Sequence, residues 1–458
     1  MRYNSEEKFL KGGNYLQFNS ISFLFEFFPL FLVAYYFVPH CLRSSVMVIG
    51  SLIFYAISCS GHYWWIALLL CITLIAYVAA RILADHSSKF LLGSVLALML
   101  GVLTLFKLYD GGKLLPVGIS FYMFQISAYL IDVYRQKFAP EKNLIRFFSQ
   151  IFMFPKLLSG PMMDPGELKL QSEFFRPNRE KLHEGLQIFI LGLCLKVLLA
   201  NRLGGLWNQT AGIGYENLSP IFAWMVLLGY AMQLYFDFYG YSLMAVGVGK
   251  MLGYDLPQNF LTPYASKTVS EFYRRWHATL GAWFREYLYI PLGGNRKGQL
   301  RTIINLAVVW LFTGLWHGIG GNYLLWAGFL FLLIVNERLW LGKILKKTHV
   351  ICHLYVPFVI LLSWVPFAVG DWNDMVMFLG RLFNLCGSTQ IANDYVLWGK
   401  DYFGILAAGV VLATPLPGWI CKKMKDTVIA DLILVVLFWV VVYFISTAAQ
   451  DPFMYFAY

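Results

Sequence analysis

The chain of 458 residues is 59% hydrophobic and 18% aromatic, and only 13% of its residues are charged. Soluble globular domains are about 45–50% apolar and about 25% charged, so this composition excludes a disordered chain, a fibrous repeat and an ordinary soluble enzyme. The formal net charge is +11, but the basic residues lie between apolar segments, where they determine membrane topology, and therefore do not indicate nucleic-acid binding.

The first fifteen residues are polar, of mixed charge and without apolar periodicity. Such a segment buries too little surface to offset the ~1–2 kcal/mol per residue that backbone ordering costs, so residues 1–15 are predicted to form a disordered extension. The apolar run from Phe18 to Val38 is too long for a cleaved signal peptide and predicts a first membrane helix. We expect residues 16–458 to form a single membrane domain.

The rest of the chain contains a series of apolar runs, several of them short or interrupted. A membrane helix needs roughly 20 mostly apolar residues to cross a hydrocarbon core of ~30 Å. The runs therefore predict an all-α polytopic membrane protein with about 11–13 membrane helices or re-entrant segments. The candidate segments are 18–38, 44–60, 63–80, 90–106, 115–134, 184–200, 219–246, 302–316, 322–340, 354–370, 402–420 and 427–447.

A few polar residues interrupt these apolar runs. The stretch 144–161 is apolar but contains Pro155 and Lys156, and we interpret it as re-entrant, since irregular backbone at membrane depth survives only where protein or a water-filled cavity surrounds it. Lys196 and Asp237 are further ionisable residues in apolar surroundings. For Asp237 the sequence favours a structural pairing with an arginine or a tyrosine hydroxyl.

The basic residues of the loops predict an orientation. The segment 174–183 contains three basic residues and the loop 247–301 contains eight, whereas the loop 201–218 contains only Arg202. By the positive-inside rule, the segments 174–183 and 247–301 are cytoplasmic and 201–218 is external.

The segment 266–290 of the basic loop has apolar residues at helical spacing, with Arg274, Arg275 and Arg285 on the other face. It predicts an interfacial amphipathic helix on the cytoplasmic side, with His277 pointing into the protein. His277 is then either a buried structural histidine or a functional one. The arginines would either hold phosphate groups as paired charges or anchor the helix to anionic lipid.

His317 is the only Asp, Glu, Lys, Arg or His residue between Arg301 and Glu337. The preceding run, 302–316, is about 22 Å long as a helix, which is less than a full crossing. A glycine-rich turn follows, and the chain returns to basic residues, so His317 is expected at the far turn, deep in the membrane. An ionisable residue there is a functional hypothesis. The alternatives are a histidine bonded between helices or hydrated at the outer surface.

Motifs of several other functional classes are missing. The seven cysteines are scattered, without a CxxC motif or a cluster with histidine, so neither a disulfide framework nor a metal site is predicted. The chain has no nucleophile elbow, no complete P-loop and no HExxH sequence. Covalent serine catalysis and nucleotide hydrolysis are therefore not indicated.

Several segments resemble one family in its own order. They are FNSISFLFEFFPLF at 18–31, PVGISFYMFQISAYLIDVYR at 116–135, FPKLLSGP at 154–161, the run from QLYFDFYGYS to RRWHATLGAWFREYLYIPLGGNR at 233–296, FTGLWHG at 312–318 and the terminal PFMYFAY. The chain resembles the membrane-bound O-acyltransferase family, and within it the bacterial branch of the alginate O-acetylation membrane subunit. The membrane proteins of peptidoglycan O-acetylation and teichoic-acid D-alanylation are relatives.

The resemblance implies a multi-helix fold around a central tunnel, in the inner or plasma membrane of a bacterium. It implies that His317 is catalytic and His277 a second functional residue. The expected reaction passes an acyl group, acetyl by preference, from cytoplasmic acetyl-CoA as co-substrate to an extracytoplasmic polysaccharide or a partner transferase of the SGNH type, without a bound cofactor. His317 would be the general base and Trp316 would shape the tunnel wall.

Roles are also expected for four further residues. His277 would orient or polarise the thioester carbonyl, and Arg274, Arg275 and Arg285 would bind the CoA phosphates. Membrane lipid is the surrounding partner.

Two alternatives remain open. One is D-alanyl transfer from a carrier protein to teichoic acid, and the other is a flippase for lipid or an acylated carrier, without ester chemistry. Leu243 stands where the family often has an acidic residue, and Lys156 where it usually has glutamine. These departures leave the acceptor and the partner undetermined.

Overall fold

The protein is described by a computed structural model that covers residues 16–59, 61–109, 114–174, 178–385, 390–424 and 427–447. The predicted extension 1–15 and the terminal PFMYFAY lie outside these residues. The secondary structure in the described part is helical, as expected of apolar segments that must satisfy every backbone N–H and C=O internally in lipid. The prediction of an all-α polytopic membrane protein is confirmed.

Within the described residues, nine helices are long and apolar enough to cross a membrane. Ten result if the bent pair Lys400–Leu412 and Leu416–Met424 is counted as one span, and the shorter apolar helix Phe23–Phe37 comes in addition. The sequence indicated 402–420 as one candidate segment, and the two helices of this pair are bent by 72°. Pro415 and Pro417 lie at the bend, and proline cannot continue a helix because it lacks the backbone N–H.

The contacts divide the chain into two compact units. Among the described residues, the first unit contains 16–193, Tyr241–Gln258 and 442–447, and the second contains Cys194–Gly240 and Asn259–Val441. The helix Pro220–Met251 begins in the second unit and ends in the first. A single domain over residues 16–458 stays a prediction.

The first unit is built around aromatic packing. The ring of Phe154 lies 5.1 Å from that of Phe31, 5.3 Å from that of Phe54 and 5.5 Å from that of Phe27. Such contacts add to the free energy that burial of the rings itself provides. The main helices of this unit are Phe28–Phe37, Arg43–Ser58, Trp64–Asp85, Lys89–Leu108, Ile119–Tyr134, Leu144–Phe152, Phe154–Leu157, Pro165–Phe174 and Arg179–Cys194.

The segment 144–161 is broken, as its sequence predicts. A helix of nine residues, Leu144–Phe152, is followed by one of four, Phe154–Leu157. Lys156 is buried and donates a hydrogen bond from Nζ to Gln125 Oε1 at 2.6 Å. Gly118 has φ +73°, and a Cβ there would lie 2.5 Å from the Leu157 carbonyl oxygen. A side chain at residue 118 would therefore push the segment 144–161 away from helix Ile119–Tyr134, which begins directly after Gly118.

The second unit contains most of the remaining helices. They are, in whole or for the greater part, Leu195–Ala200, Asn201–Ile213, Pro220–Met251, Val269–Arg275, Ala278–Phe284, Arg285–Tyr289, Gln299–His317, Gly321–Asn336, Glu337–Leu341, Gly342–Lys347, His349–Ala368, Trp372–Leu382, Asp394–Leu397, Phe403–Leu412, Leu416–Met424 and Val428–Thr447.

An ion pair lies inside this unit, within two membrane spans. Lys196 Nζ is 2.6 Å from Asp237 Oδ1, and each side chain is only 3% exposed. Lys196 Nζ also donates to Asn201 Oδ1 at 2.9 Å. The expectation of an arginine or tyrosine partner for Asp237 did not anticipate this lysine. The partner is the lysine of a neighbouring span, because a buried carboxylate requires a compensating charge close by.

Candidate active site

A cavity of about 570 Å³ in the second unit contains both histidines that the sequence singled out. Most of its wall is apolar, with a few polar groups, which is the usual composition of a small-molecule site. The ring-bearing residues that line it are Tyr273, Trp276, His277, Phe284, Tyr289, Trp310, His317, Trp326, Trp364 and Phe367.

The predicted continuous helix over 266–290 is wrong at its centre. Helix Val269–Arg275 ends, Trp276 is extended, and His277 adopts the left-handed conformation with φ 48° and ψ 49° before helix Ala278–Phe284 begins. His277 therefore lies at a turn between two short helices, and its side chain is not bound to the side-chain direction of either helix.

The break results from pairing with a segment that precedes the helices in the chain. The backbone N–H of Leu261 donates to the Arg275 carbonyl at 3.0 Å, and that of Ala278 donates to the Asn259 carbonyl at 2.9 Å. These bonds satisfy backbone groups that a continuous helix would have paired internally. A residue distant in the sequence thus positions His277.

The His277 side chain is buried, with 4% of the residue exposed. Its Nδ1 lies 3.0 Å from Asn259 Oδ1, and its ring packs edge to face against Phe238 at 4.8 Å. Burial lowers the pKa of His277 to about 3, because the charged form loses its hydration. The imidazole is therefore neutral near pH 7.

His317 is the last residue of helix Gln299–His317 and lies directly before Gly318. Its ring lies 4.9 Å from that of Trp326 and 5.2 Å from that of Phe367. The residue is half-buried and lines the cavity. The helix has 19 residues and is long and apolar enough to cross a membrane, so the prediction of a run shorter than a full crossing is wrong. The predicted place of His317 at the turn before the glycines is found.

Trp316 contacts both histidines. Its ring centroid is 4.6 Å from that of His317 and 6.2 Å from that of His277. It is not among the lining residues of the cavity. Trp316 therefore touches the rings of both histidines without lining the cavity itself.

The structure separates the three predicted phosphate-binding arginines. Arg274 and Arg285 line the cavity and are exposed, so the cavity reaches the surface where they lie. Arg275 does not line it, and its Nη2 is 2.6 Å from Glu271 Oε1 in an ion pair of residues i and i+4. Two of the three arginines therefore line the same cavity as the histidines, and the third forms an ion pair within its own helix.

Two residues of this site were not assigned from the sequence. Arg338 lines the cavity together with Arg274 and Arg285 and comes from the π-helical turn Glu337–Leu341. In the sequence, Arg338 served only as one of the basic residues that indicate the orientation of the chain in the membrane. Asn259, the hydrogen-bond partner of His277, lies in the PQNF part of the resembling run, but nothing in the sequence shows that it contacts a residue 18 positions later.

Metal ligation is not offered by the part of the chain that the structure describes, since no group of three or more His, Cys, Asp or Glu side chains there is arranged to hold an ion. The chemical groups that the cavity does offer are two imidazoles, three guanidinium groups and an aromatic wall. This set can bind an anionic substrate at one end and move a proton within an apolar space.

Comparison with known proteins gives one family and several relatives. The sequence model described as MBOAT, membrane-bound O-acyltransferase family, matches residues 51–349. The probable alginate O-acetylase AlgI of Pseudomonas putida is 33% identical over 429 residues, which cover 86% of this chain and 86% of the relative.

Two further relatives act on other polymers, according to their names. The peptidoglycan O-acetyltransferase of Helicobacter pylori is 30% identical over 439 residues, covering 81% of this chain and 80% of the relative. The teichoic acid D-alanyltransferase of Streptococcus thermophilus is 29% identical over 255 residues, covering 51% and 58%. The match of the family model includes both histidines and the three arginines of the cavity.

Proposed function

This chain belongs to the membrane-bound O-acyltransferase family, and on that premise we propose that it passes an acetyl group from cytoplasmic acyl-CoA across the membrane. The acceptor is an extracytoplasmic polysaccharide, reached directly or through a partner transferase of the SGNH type. The chain is a multi-pass bacterial membrane protein. The names of the alginate and peptidoglycan O-acetylating relatives support acetyl as the group and a polysaccharide as the acceptor.

The observation that carries this proposal is the shared cavity of His277, His317 and the three arginines. A thioester donor has a phosphate-bearing end and an apolar arm that ends in the acyl group. The exposed arginines suit the phosphates, as charge-assisted hydrogen bonds to guanidinium groups are strong. The aromatic wall suits the arm, and the histidines suit the reacting end.

His317 acts as the general base in this mechanism. The acceptor hydroxyl gives its proton to the neutral imidazole of His317 as its oxygen attacks the thioester carbonyl carbon. The C–S bond then breaks, and the departing thiolate takes the proton back from the imidazolium, so that ester and thiol are formed. General base catalysis of this kind contributes typically about 10²–10⁴-fold to a rate.

The other residues support this step. His277 orients the donor, and Trp316 holds the two imidazole rings through its contacts with both. Arg274, Arg285 and Arg338 hold the donor's phosphates at the exposed end of the cavity. Exclusion of bulk water by the apolar wall limits hydrolysis of the thioester.

The test uses the full chain in lipid nanodiscs with radiolabelled acetyl-CoA and short alginate or peptidoglycan fragments. We expect CoA release coupled to labelling of an acceptor, and at least about 100-fold less of both with His317→Ala. The matched control is His86→Ala, because His86 is an exposed histidine outside the cavity.

Other outcomes contradict the proposal in specific ways. Transfer from a D-alanyl-loaded carrier protein, with none from acetyl-CoA, would show that the donor is the carrier protein and not acyl-CoA. Movement of an acylated lipid without CoA release would indicate a flippase. Full activity of His317→Ala would exclude His317 as the base.

A further inference from the structure

The hydrogen bonds around His277 determine which of its ring nitrogens carries the proton. We propose that Asn259 is a positioning residue that fixes His277 as the neutral tautomer with its lone pair on Nε2, so that His277 meets the substrate as a hydrogen-bond acceptor. The activity assays below rest on the proposed function, and one spectroscopic measurement does not.

The first step concerns the orientation of the Asn259 amide. Its Oδ1 accepts hydrogen bonds from the Thr279 backbone N–H at 3.3 Å and from the Thr279 hydroxyl at 2.9 Å. A backbone N–H can only donate, so the facing atom must be the amide oxygen rather than the amide nitrogen. The orientation of the Asn259 amide therefore follows from the Thr279 backbone N–H, which can act only as a donor.

The second step concerns His277. Its Nδ1 lies 3.0 Å from the same Asn259 oxygen, which can only accept. Nδ1 must then carry the proton, and in a neutral imidazole the other nitrogen, Nε2, is left as an acceptor. Both residues are almost fully buried, Asn259 at 2% and His277 at 4% exposed, which disfavours a second proton on the ring.

The third step limits what His277 can do in the reaction. Polarisation of a thioester carbonyl requires a proton on Nε2 aimed at the carbonyl oxygen, and this tautomer has none. Burial also lowers the pKa of His277 to about 3, which makes it a weak base. The remaining role is to accept a hydrogen bond from an N–H or O–H group of the substrate, while His317 moves the proton.

The first experiment compares three replacements of His277 in the full chain. Glutamine places an amide oxygen near the position of Nε2, whereas asparagine reaches only the position of Nδ1 and alanine reaches neither. We expect His277→Gln to keep about one tenth or more of the wild-type kcat/KM, and His277→Asn and His277→Ala to lose about 100-fold. An equal loss in the glutamine and alanine variants would overturn the acceptor role.

The second experiment changes Asn259 and reads the pH profile. Asn259→Asp keeps an oxygen for Thr279, but its carboxylate beside Nδ1 favours the imidazolium and so raises the pKa of His277. We expect an additional acidic limb in this variant, with activity falling about tenfold per pH unit and returning at higher pH. The limb should vanish in the double variant Asn259→Asp/His277→Gln. A profile like that of the wild type would contradict the proposal.

A measurement independent of activity separates this inference from the proposed function. In the full chain labelled with ¹⁵N-histidine, the His277 signals are identified by their loss in His277→Gln. We expect a protonated, pyrrole-type Nδ1 and a pyridine-type Nε2 between about pH 5 and pH 9. A protonated Nε2 would refute the tautomer even if transfer is observed. The expected spectrum without any transfer would refute the function alone.

Discussion

Glu337 and Val269 are joined by a hydrogen bond of 2.6 Å from the Val269 backbone N–H to the Glu337 carboxylate. The second carboxylate oxygen accepts from the Ser270 backbone N–H and the Ser270 hydroxyl, both at 3.1 Å. A residue of the span Gly321–Leu345 thereby caps the helix that contains Arg274. Because Arg338 follows Glu337 in the chain, the same contact holds the backbones of two cavity arginines in one arrangement.

Loss of this contact should weaken donor binding. In Glu337→Ala the N–H groups of Val269 and Ser270 lose their acceptor, which costs about 0.5–2 kcal/mol for a helix cap. We expect a lower midpoint of thermal unfolding and a higher KM for acetyl-CoA, with Glu337→Gln less affected because it retains an acceptor oxygen. Steady-state kinetics and a melting curve measure both. An unchanged KM in the alanine variant would show that the cap does not position the arginines.

The arginines of the cavity should differ from their neighbour Arg275. A hydrogen bond to a charged group is worth about 1.5–3 kcal/mol, so glutamine at position 274, 285 or 338 should raise the KM for acetyl-CoA about tenfold or more. Arg275→Gln is the matched control and should change it by less than about twofold, since Arg275 pairs with Glu271.

The lipid composition of the nanodisc distinguishes the two roles of these arginines. Phosphate binding by Arg274, Arg285 and Arg338 predicts the same KM differences in zwitterionic and anionic lipid. Anchoring to anionic lipid predicts that the differences vanish in zwitterionic lipid, and that result would remove the arginines from the donor site.

The ion pair of Lys196 and Asp237 should be sensitive to the loss of one partner. Lys196→Met leaves a buried carboxylate without its cation, which costs about 3–5 kcal/mol, whereas replacing both residues by apolar ones is often neutral. We expect Lys196→Met to lower the yield of folded protein in detergent, and Lys196→Met/Asp237→Leu to restore it. Size-exclusion chromatography measures this, and a double variant as poor as the single one would contradict it.

The orientation of the chain can be tested with two cysteines in a background without native cysteines. The positive-inside rule places Lys297 in the cytoplasm and Glu216 outside, and both residues are exposed. An impermeant thiol reagent added to intact cells should label Glu216→Cys, and label Lys297→Cys only after the cells are opened. Labelling of both from outside would reject the predicted orientation and the two-sided transfer with it.

Several features of this protein were determined by local sequence alone. An apolar run of sufficient length has no stable alternative to a helix in lipid, so the helices Gln299–His317 and Gly321–Asn336 lie where their sequences predict. The sequence also placed His317 at a turn, because glycines follow it directly and no Asp, Glu, Lys or Arg lies between Arg301 and Glu337. The order of the resembling segments was sufficient to identify the family.

Other features were decided only by tertiary structure. The helical spacing around His277 predicted one continuous helix, but the chain breaks there because the Asn259 carbonyl and side chain bond to Ala278 and Thr279. Local periodicity reports which face of a helix is apolar, and it contains no information about a competing partner 18 residues away. The proposed protonation state of His277 depends on this same distant contact.

The sequence likewise did not predict which charged residues contact each other. Arg275 and Arg338 could not be ranked as cavity residues, and Lys196 could not be matched to Asp237, because each choice depends on which helices pack side by side. Hydrophobic burial fixes which segments enter the membrane and is nearly indifferent to their neighbours. The position of each buried charge is then set by the few short-range contacts that compensate it, and these form only when the helices have packed.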